Sequence, residues 1–252
     1  MIDPAVLNRL LDATTMEELW DIHTRVMAGY GFDRLIYGAT QFRTATSLGC
    51  PEDFVVLTNH APDYTETYVN DGLYFHAPMV RWSLENDGAC SWSVLDARFE
   101  ADDFTPEERK VLAFNRKHGV TAGYSISFRS LRPRMKAAIA LTAREGMTQA
   151  EVDARWQRDG ATIFALNNVV HRCIMCLPYD SPRRPLTDRQ REVLDWVGDG
   201  KTVQDIALLM GLTPATVEKH LRLARRALSV ETTAQAILKA AFQNQIFTLN
   251  RR

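Results

Sequence analysis

Between Leu186 and Ser229 the chain is punctuated by Thr187, Gly200, Thr202, Gly211 and Thr213, each flanking an apolar-periodic run. A threonine there can accept hydrogen bonds from the free N–H groups of a helix's first turn. A glycine can end a helix in a left-handed turn that other residues resist. The spacing predicts three short helices, at about 188–198, 203–210 and 214–228. In the third, Val217, Leu221, Ala224 and Leu228 recur at i, i+4, i+7 and i+11, within about 60° of one another on a 3.6-residue wheel. Lys219, Arg222 and Arg226 take the opposite side. An amphipathic helix with an apolar back and a cationic front, preceded by a helix and a tight glycine turn, is the arrangement that enters the major groove of a duplex. An ordinary three-helix bundle with a solvated basic face carries the same pattern.

The formal net charge of −1 hides an uneven division. From Arg183 onward 12 Lys/Arg stand against 7 Asp/Glu, and upstream 18 stand against 24. The basic end is therefore the one suited to phosphate, and the acidic end is repelled from it. At 46% hydrophobic residues the chain is neither disordered nor built for a membrane, and no apolar run approaches a membrane span. The first residues, MIDPAVLNRLLDATT, lack the basic-led apolar core of an export signal, so a cytoplasmic location is expected. Cys50, Cys90, Cys173 and Cys176 do not form a disulfide framework in a chain of 252 residues. Cys173 and Cys176 beside His171 raise zinc, but a structural zinc site needs four ligands and no second cysteine pair exists. Small apolar filler near the end of a long helix is the other reading, and no metal or cofactor is expected.

Three prolines at 178, 182 and 185 rule out helix or central strand, which marks 177–185 as a linker. The expected division is a sensor domain over 1–176, this Pro-rich linker, and a small all-α helix-turn-helix domain over 186–252. Upstream, helical periodicity appears around 4–12, 16–29, 62–71, 76–86, 106–118 and 148–176. Strand-like runs appear at about 33–42, 53–58, 89–93, 121–129 and 136–143, the last two joined as antiparallel neighbours through Leu131-Arg132-Pro133. The expected fold class is α+β: a three-layer α-β-α sandwich around a mostly antiparallel sheet, large enough to hold a small-molecule cavity.

Tyr64, Tyr68, Tyr74, Phe75, Trp82 and Trp92 lie within 29 residues, and Tyr64 and Tyr68 share a helix face. Each alone reads as aromatic core, whereas together they suit an apolar pocket with a few polar tips. An enzyme is not indicated. There is no Gly-x-Ser-x-Gly elbow and no phosphate-cradling glycine loop, and the pairs Glu107-Glu108 and Asp102-Asp103 sit in stretches expected to be solvated.

Leu186-Thr187, Arg189, Val193-Leu194, Gly200-Lys201-Thr202, Ile206-Ala207, Thr216-Val217, His220-Leu221 and Leu228 resemble the C-terminal helix-turn-helix of LuxR-type transcription regulators. Gln190 stands where that family nearly always has Glu; the amide keeps the shape and loses the charge, so an ion pair there becomes a neutral hydrogen bond. Tyr64-x3-Tyr68, Gly72, Pro78, Trp92, Gly119 and Gly123 resemble, more weakly, the family's autoinducer-binding domain, and Gly31-Phe32 with Tyr37-Gly38 fits its first strand. The resemblance implies a quorum-sensing regulator without enzymatic activity. Its small-molecule signal would be an acyl-homoserine lactone or analogue, and its partners a second copy of the chain in a homodimer, double-stranded promoter DNA and RNA polymerase. By position it assigns the acyl carbonyl to Tyr68, the lactone carbonyl to Trp92 on its strand, and the ligand amide to residue 77, where Ala77 replaces the family's Asp. Tyr64 replaces a Trp; Thr142 matches a position that often offers a hydroxyl, though it equally suits a strand; Tyr37 joins this ligand set. His76, adjacent to Ala77, points in a different direction on any regular element. For DNA, Lys219 and Arg222 can donate to guanine, Glu218 can accept from cytosine, and Lys201, Thr202, Thr216 and Arg226 are placed for phosphates. Ala77 keeps two alternatives open: a sensor for a non-lactone signal, or a ligand-independent dimerisation domain.

Overall fold

The computed structural model describes residues 3–44, 47–179 and 185–247. Its chain divides into two compact units, Met1–Met175 and Cys176–Arg252.

The first unit is built on five strands: β1 (Phe32–Thr40), β2 (Val55–Thr58), β3 (Gly88–Ser91), β4 (Gly123–Phe128) and β5 (Lys136–Ala143). They run in the order β2-β1-β5-β4-β3, every pair antiparallel. Ile36, Ala140 and Ser125 lie opposite one another across three strands and so share a face; Tyr37, Ile139 and Ile126 share the other. Against the Tyr37 face pack α2 (Met16–Gly29) and the long α7 (Gln149–Cys176). His171 of α7 stacks on Phe128 at 4.2 Å, Trp156 on Tyr124 at 3.9 Å, and His23 of α2 bonds Asn167 of α7 at 3.1 Å. α1 (Pro4–Asp12) precedes α2. Against the Ile36 face lie α3 (Pro62–Thr65), which runs on as a π-helical turn over Glu66–Asn70, α4 (Pro78–Glu85), α5 (Asp96–Glu100) and α6 (Pro106–Lys117). The unit is the three-layer α-β-α sandwich with an antiparallel sheet, and β4 and β5 pair directly as the hairpin reading requires.

Two short elements differ from the sequence reading. The strand expected over 89–93 stops at Ser91, and Trp92 opens a 3-10 turn, because the Ser91 side chain caps Ser93 N–H and starts a helical turn there. α5 follows at once and was not anticipated; at five residues it is too short to show a helical period.

The second unit holds α8 (Asp188–Gly198), α9 (Val203–Met210), α10 (Pro214–Ala227) and α11 (Thr233–Phe242). Thr187, Thr202 and Thr213 each cap the helix that follows, and Gly211 ends α9 with φ 65°. Gln190 stands in the capping box of α8, its Oε1 accepting Thr187 N–H at 3.1 Å, so the amide does supply a neutral hydrogen bond. The core gathers Leu186, Val193, Leu194, Ile206, Val217, Leu221, Ala224 and Leu228 with Ala236 and Ala240 of α11, a helix the sequence reading omitted. The linker expected over 177–185 falls partly on residues 180–184, which lie outside the described residues. Its first residues are tied down: Tyr179 N–H donates to Gln243 O, and Asn244 Nδ2 to Leu177 O.

Among the described residues no helix is long and apolar enough to cross a membrane.

Candidate ligand cavity and nucleic-acid interface

A cavity of about 350 Å³ lies between the Ile36 face of the sheet and the α3–α6 layer. Tyr37, Tyr64, Tyr68, Ala77, Trp92 and Thr142 all contribute to its wall. Tyr64 and Tyr68 stack at 5.1 Å, and Tyr64 also stacks on His60 and Phe114 at 4.3 and 5.3 Å, so the aromatic roof is one continuous pile. The floor is made of small residues, Gly38, Ala138 and Ala140, which leaves room above the strands.

The polar groups in this wall have distinct fates. Tyr64 donates its hydroxyl to Asn115 Oδ1 at 3.0 Å, and Trp92 Nε1 donates to Ser125 Oγ at 3.0 Å. Burial pushes the phenols of Tyr64 and Tyr68 well above their ordinary range and that of Tyr74 to about 12, so all three stay neutral and able to donate. Thr142 Oγ1, on a residue 1% exposed, has no hydrogen-bond partner. Ala77, the N-cap of α4, presents only a methyl group. His76 is exposed and absent from the wall, as its alternation with Ala77 requires.

Tyr37 corrects an expectation. Its hydroxyl bonds His171 Nδ1 at 2.9 Å on the opposite side of the sheet, so its polar tip is not offered to a cavity ligand. Strand parity is the reason: neighbours on β1 face opposite layers, and Ile36 takes the cavity side. His171, held neutral by burial with its pKa lowered to about 4, is thus a sheet-packing residue. Among the described residues no cluster of three or more His, Cys, Asp or Glu is arranged to hold a metal.

Glu108 corrects another. It is 4% exposed rather than solvated, pairs with Arg98 at 2.7 Å and Arg81 at 2.9 Å, and closes the capping box of α6 with Thr105. Hydrogen bonds from Arg98 foremost, then Thr105 N–H and the charges of Arg98 and Arg81, hold its carboxyl below the usual range. Asp102, of the other acidic pair, is exposed and ion-paired with Arg109.

Asn115, Ser125 and Gln149 also line the cavity and were not singled out from the sequence. A signal for Ser125 existed: Gly123, Ser125 and Ser127 alternate with apolar residues and must share one strand face.

On α10, Val217, Leu221 and Ala224, with Leu228 capping its end, are 0–5% exposed, while Glu218, Lys219, Arg222 and Arg226 are exposed. Lys201 and Thr202 are exposed at the start of α9, and Thr216 is half-buried on α10. The Thr202 hydroxyl donates to Asp205 at 2.7 Å and must exchange that bond to donate to a phosphate, whereas those of Thr216 and Thr213 bond each other at 2.9 Å, which leaves Thr216 its proton when Thr213 is the donor.

Residues 15–174 match the family model of the autoinducer binding domain, and residues 184–240 that of bacterial regulatory proteins of the luxR family. The transcriptional activator protein AnoR of Acinetobacter nosocomialis is 23% identical over 239 residues, 93% of this chain and 94% of that protein. The HTH-type quorum sensing-dependent transcriptional regulator RpaR of Rhodopseudomonas palustris is 28% identical over 218 residues, 85% of this chain and 83% of that one. Among solved structures, SdiA in complex with octanoyl-rac-glycerol aligns with a TM-score of 0.52 at 17% identity, over 96% of this chain and 97% of that one. The N-acylhomoserine lactone-dependent LuxR family factor CepR2 from Burkholderia cenocepacia aligns with a TM-score of 0.52 at 17% identity, over 69% of this chain and 97% of that one. The architecture and both family matches agree, and the chain belongs to the LuxR family of quorum-sensing transcription regulators, with an autoinducer-binding domain ahead of its helix-turn-helix.

Proposed function

We propose that the cavity binds an acyl-homoserine lactone or a related amphipathic signal, and that its occupancy governs how a cytoplasmic homodimer presents two α10 helices to a partly palindromic operator. The observation that carries this reading is the orphaned Thr142 hydroxyl, shut from solvent in an aromatic-walled cavity. A buried hydroxyl left unpaired costs about 1–3 kcal/mol, which a polar ligand atom relieves. Tyr68 donates to the acyl carbonyl, and Trp92 reaches the lactone carbonyl by releasing Ser125. On the operator, Lys219 and Arg222 read guanine and Glu218 cytosine N4, while Lys201, Thr202, Thr216 and Arg226 seat the phosphates. Two such helices stand about one DNA turn apart, and RNA polymerase is the further partner. Arg222→Ala is expected to abolish the preference for operator over scrambled DNA in a binding titration, with an unchanged melting temperature. Undiminished discrimination would remove Arg222 from the base-reading set.

A second reading, a non-lactone signal or a ligand-independent dimerisation domain, is favoured by the methyl group at Ala77 and by the Trp92–Ser125 bond already in place. Mass spectrometry of organic extracts of the purified chain separates the two, together with melting against a panel of lactones. A ligand at 100 times its dissociation constant adds about 2.7 kcal/mol. Empty extracts and no shift with any compound would leave dimerisation alone.

A further inference from the structure

Three strong hydrogen-bond acceptors around the cavity are already engaged inside the fold. The Ala77 carbonyl accepts from Val80 N–H and Arg81 N–H at 3.0 and 3.1 Å. Asn115 Oδ1 accepts the Tyr64 hydroxyl at 3.0 Å, and Gln149 Oε1 accepts Gly123 N–H at 2.9 Å. The one carboxylate in the described wall, Asp96, is exposed at the first turn of α5 and therefore hydrated. The interior is left with hydroxyls. Thr142 Oγ1 is unpartnered, the Tyr68 hydroxyl keeps its proton, and Ser125 Oγ, which accepts from Trp92 Nε1, has its own proton to give. A hydroxyl donates to a carbonyl or ester oxygen as readily as it accepts from an N–H, whereas a carboxylate can only accept. Nothing in the interior therefore requires a ligand N–H, while several groups favour a ligand rich in carbonyl oxygens.

We infer that this sensor takes acyl signals without reading an amide N–H, so that an ester between acyl chain and polar head serves as well as an amide. Its ligand class is acyl esters and lactones, with Thr142 the adaptable contact to the linkage. The inference rests on the reading of the cavity as an acyl-signal site.

The test is calorimetric titration of the full chain with three probes: N-octanoyl homoserine lactone, its ester isostere α-octanoyloxy-γ-butyrolactone, and 1-octanoylglycerol. The amide and its isostere are expected to bind within about threefold of each other, because the Thr142 hydroxyl can accept from the amide N–H or donate to the ester oxygen. Ala77→Asp, which places a carboxylate in the wall, is expected to shift the ratio toward the amide by about tenfold or more. If that variant does not fold, Ala77→Asn supplies a neutral acceptor and should move the ratio the same way. A wild-type preference for the amide beyond about tenfold overturns the inference and leaves the lactone reading standing. Binding of the two esters without the amide sustains the inference and removes the homoserine-lactone reading. Failure of all three probes to bind overturns both.

Discussion

At Gly123 the absence of a side chain is what allows Trp92 to lie across the end of β4. A Cβ built there would stand 2.2 Å from Leu141 O and 2.9 Å from the Trp92 ring, so the requirement is close approach rather than a special backbone conformation. Gly123→Ala is expected to spread the β4–β5 pair, dislodge Trp92 from Ser125 and destabilise the sensor by about 1–3 kcal/mol, the range for overpacking. Urea unfolding with indole fluorescence checks it; a wild-type midpoint and spectrum would show that the wall gives way freely. The same scale shows where sequence reasoning stops. That Tyr64, Tyr68, Trp92 and Thr142 converge on one cavity is what the family resemblance implied, and all four line its wall. That Tyr37 spends its hydroxyl on His171, and Trp92 its N–H on Ser125, depends on partners 134 and 33 residues away.

Among the elements, the helices of the second unit were the most readable because their signals act within a turn. Thr187, Thr202 and Thr213 each cap the N–H three residues on, a contact that local chain geometry alone arranges. Thr213→Ala is expected to cost about 1 kcal/mol and to weaken operator binding through a frayed α10, without altering the base preference. Denaturation followed by circular dichroism, beside the operator titration, measures both; an unchanged midpoint would mean that Pro214 and the buried stripe alone set the start of α10. α11 carries its own cap, with Thr232 and Gln235 in a reciprocal box, yet its pattern of alanines is too weakly apolar to announce a buried face. It is recognised as core only when Ala236 and Ala240 are seen against Leu221 and Leu228.

For the molecule as a whole, acid should weaken the sensor before it touches the helix-turn-helix. His23, His60 and His171 are each pushed down to about 4, chiefly by burial, against roughly 6.5 for an imidazole in the unfolded chain. Between those values the unfolded chain binds more protons than the folded one. Their contribution is therefore present above pH about 6.5 and is lost as pH falls toward about 4, where the Glu108 pair begins to go as well. Urea midpoints of the full chain should fall from pH 7 to pH 4.5, and a level profile would mean that these rings are not held neutral by burial. The division of charge between the two units, the α+β class and the cationic face of α10 were all open to reading from composition and period, since each is a property of the chain's own residues and their neighbours. Which face of the sheet a given residue takes, and which acceptors remain free in the cavity, came only with the packed layers. Strand register and hydrogen-bond partnership are set by residues far apart in the chain, and a one-residue slip would exchange the two faces of a strand.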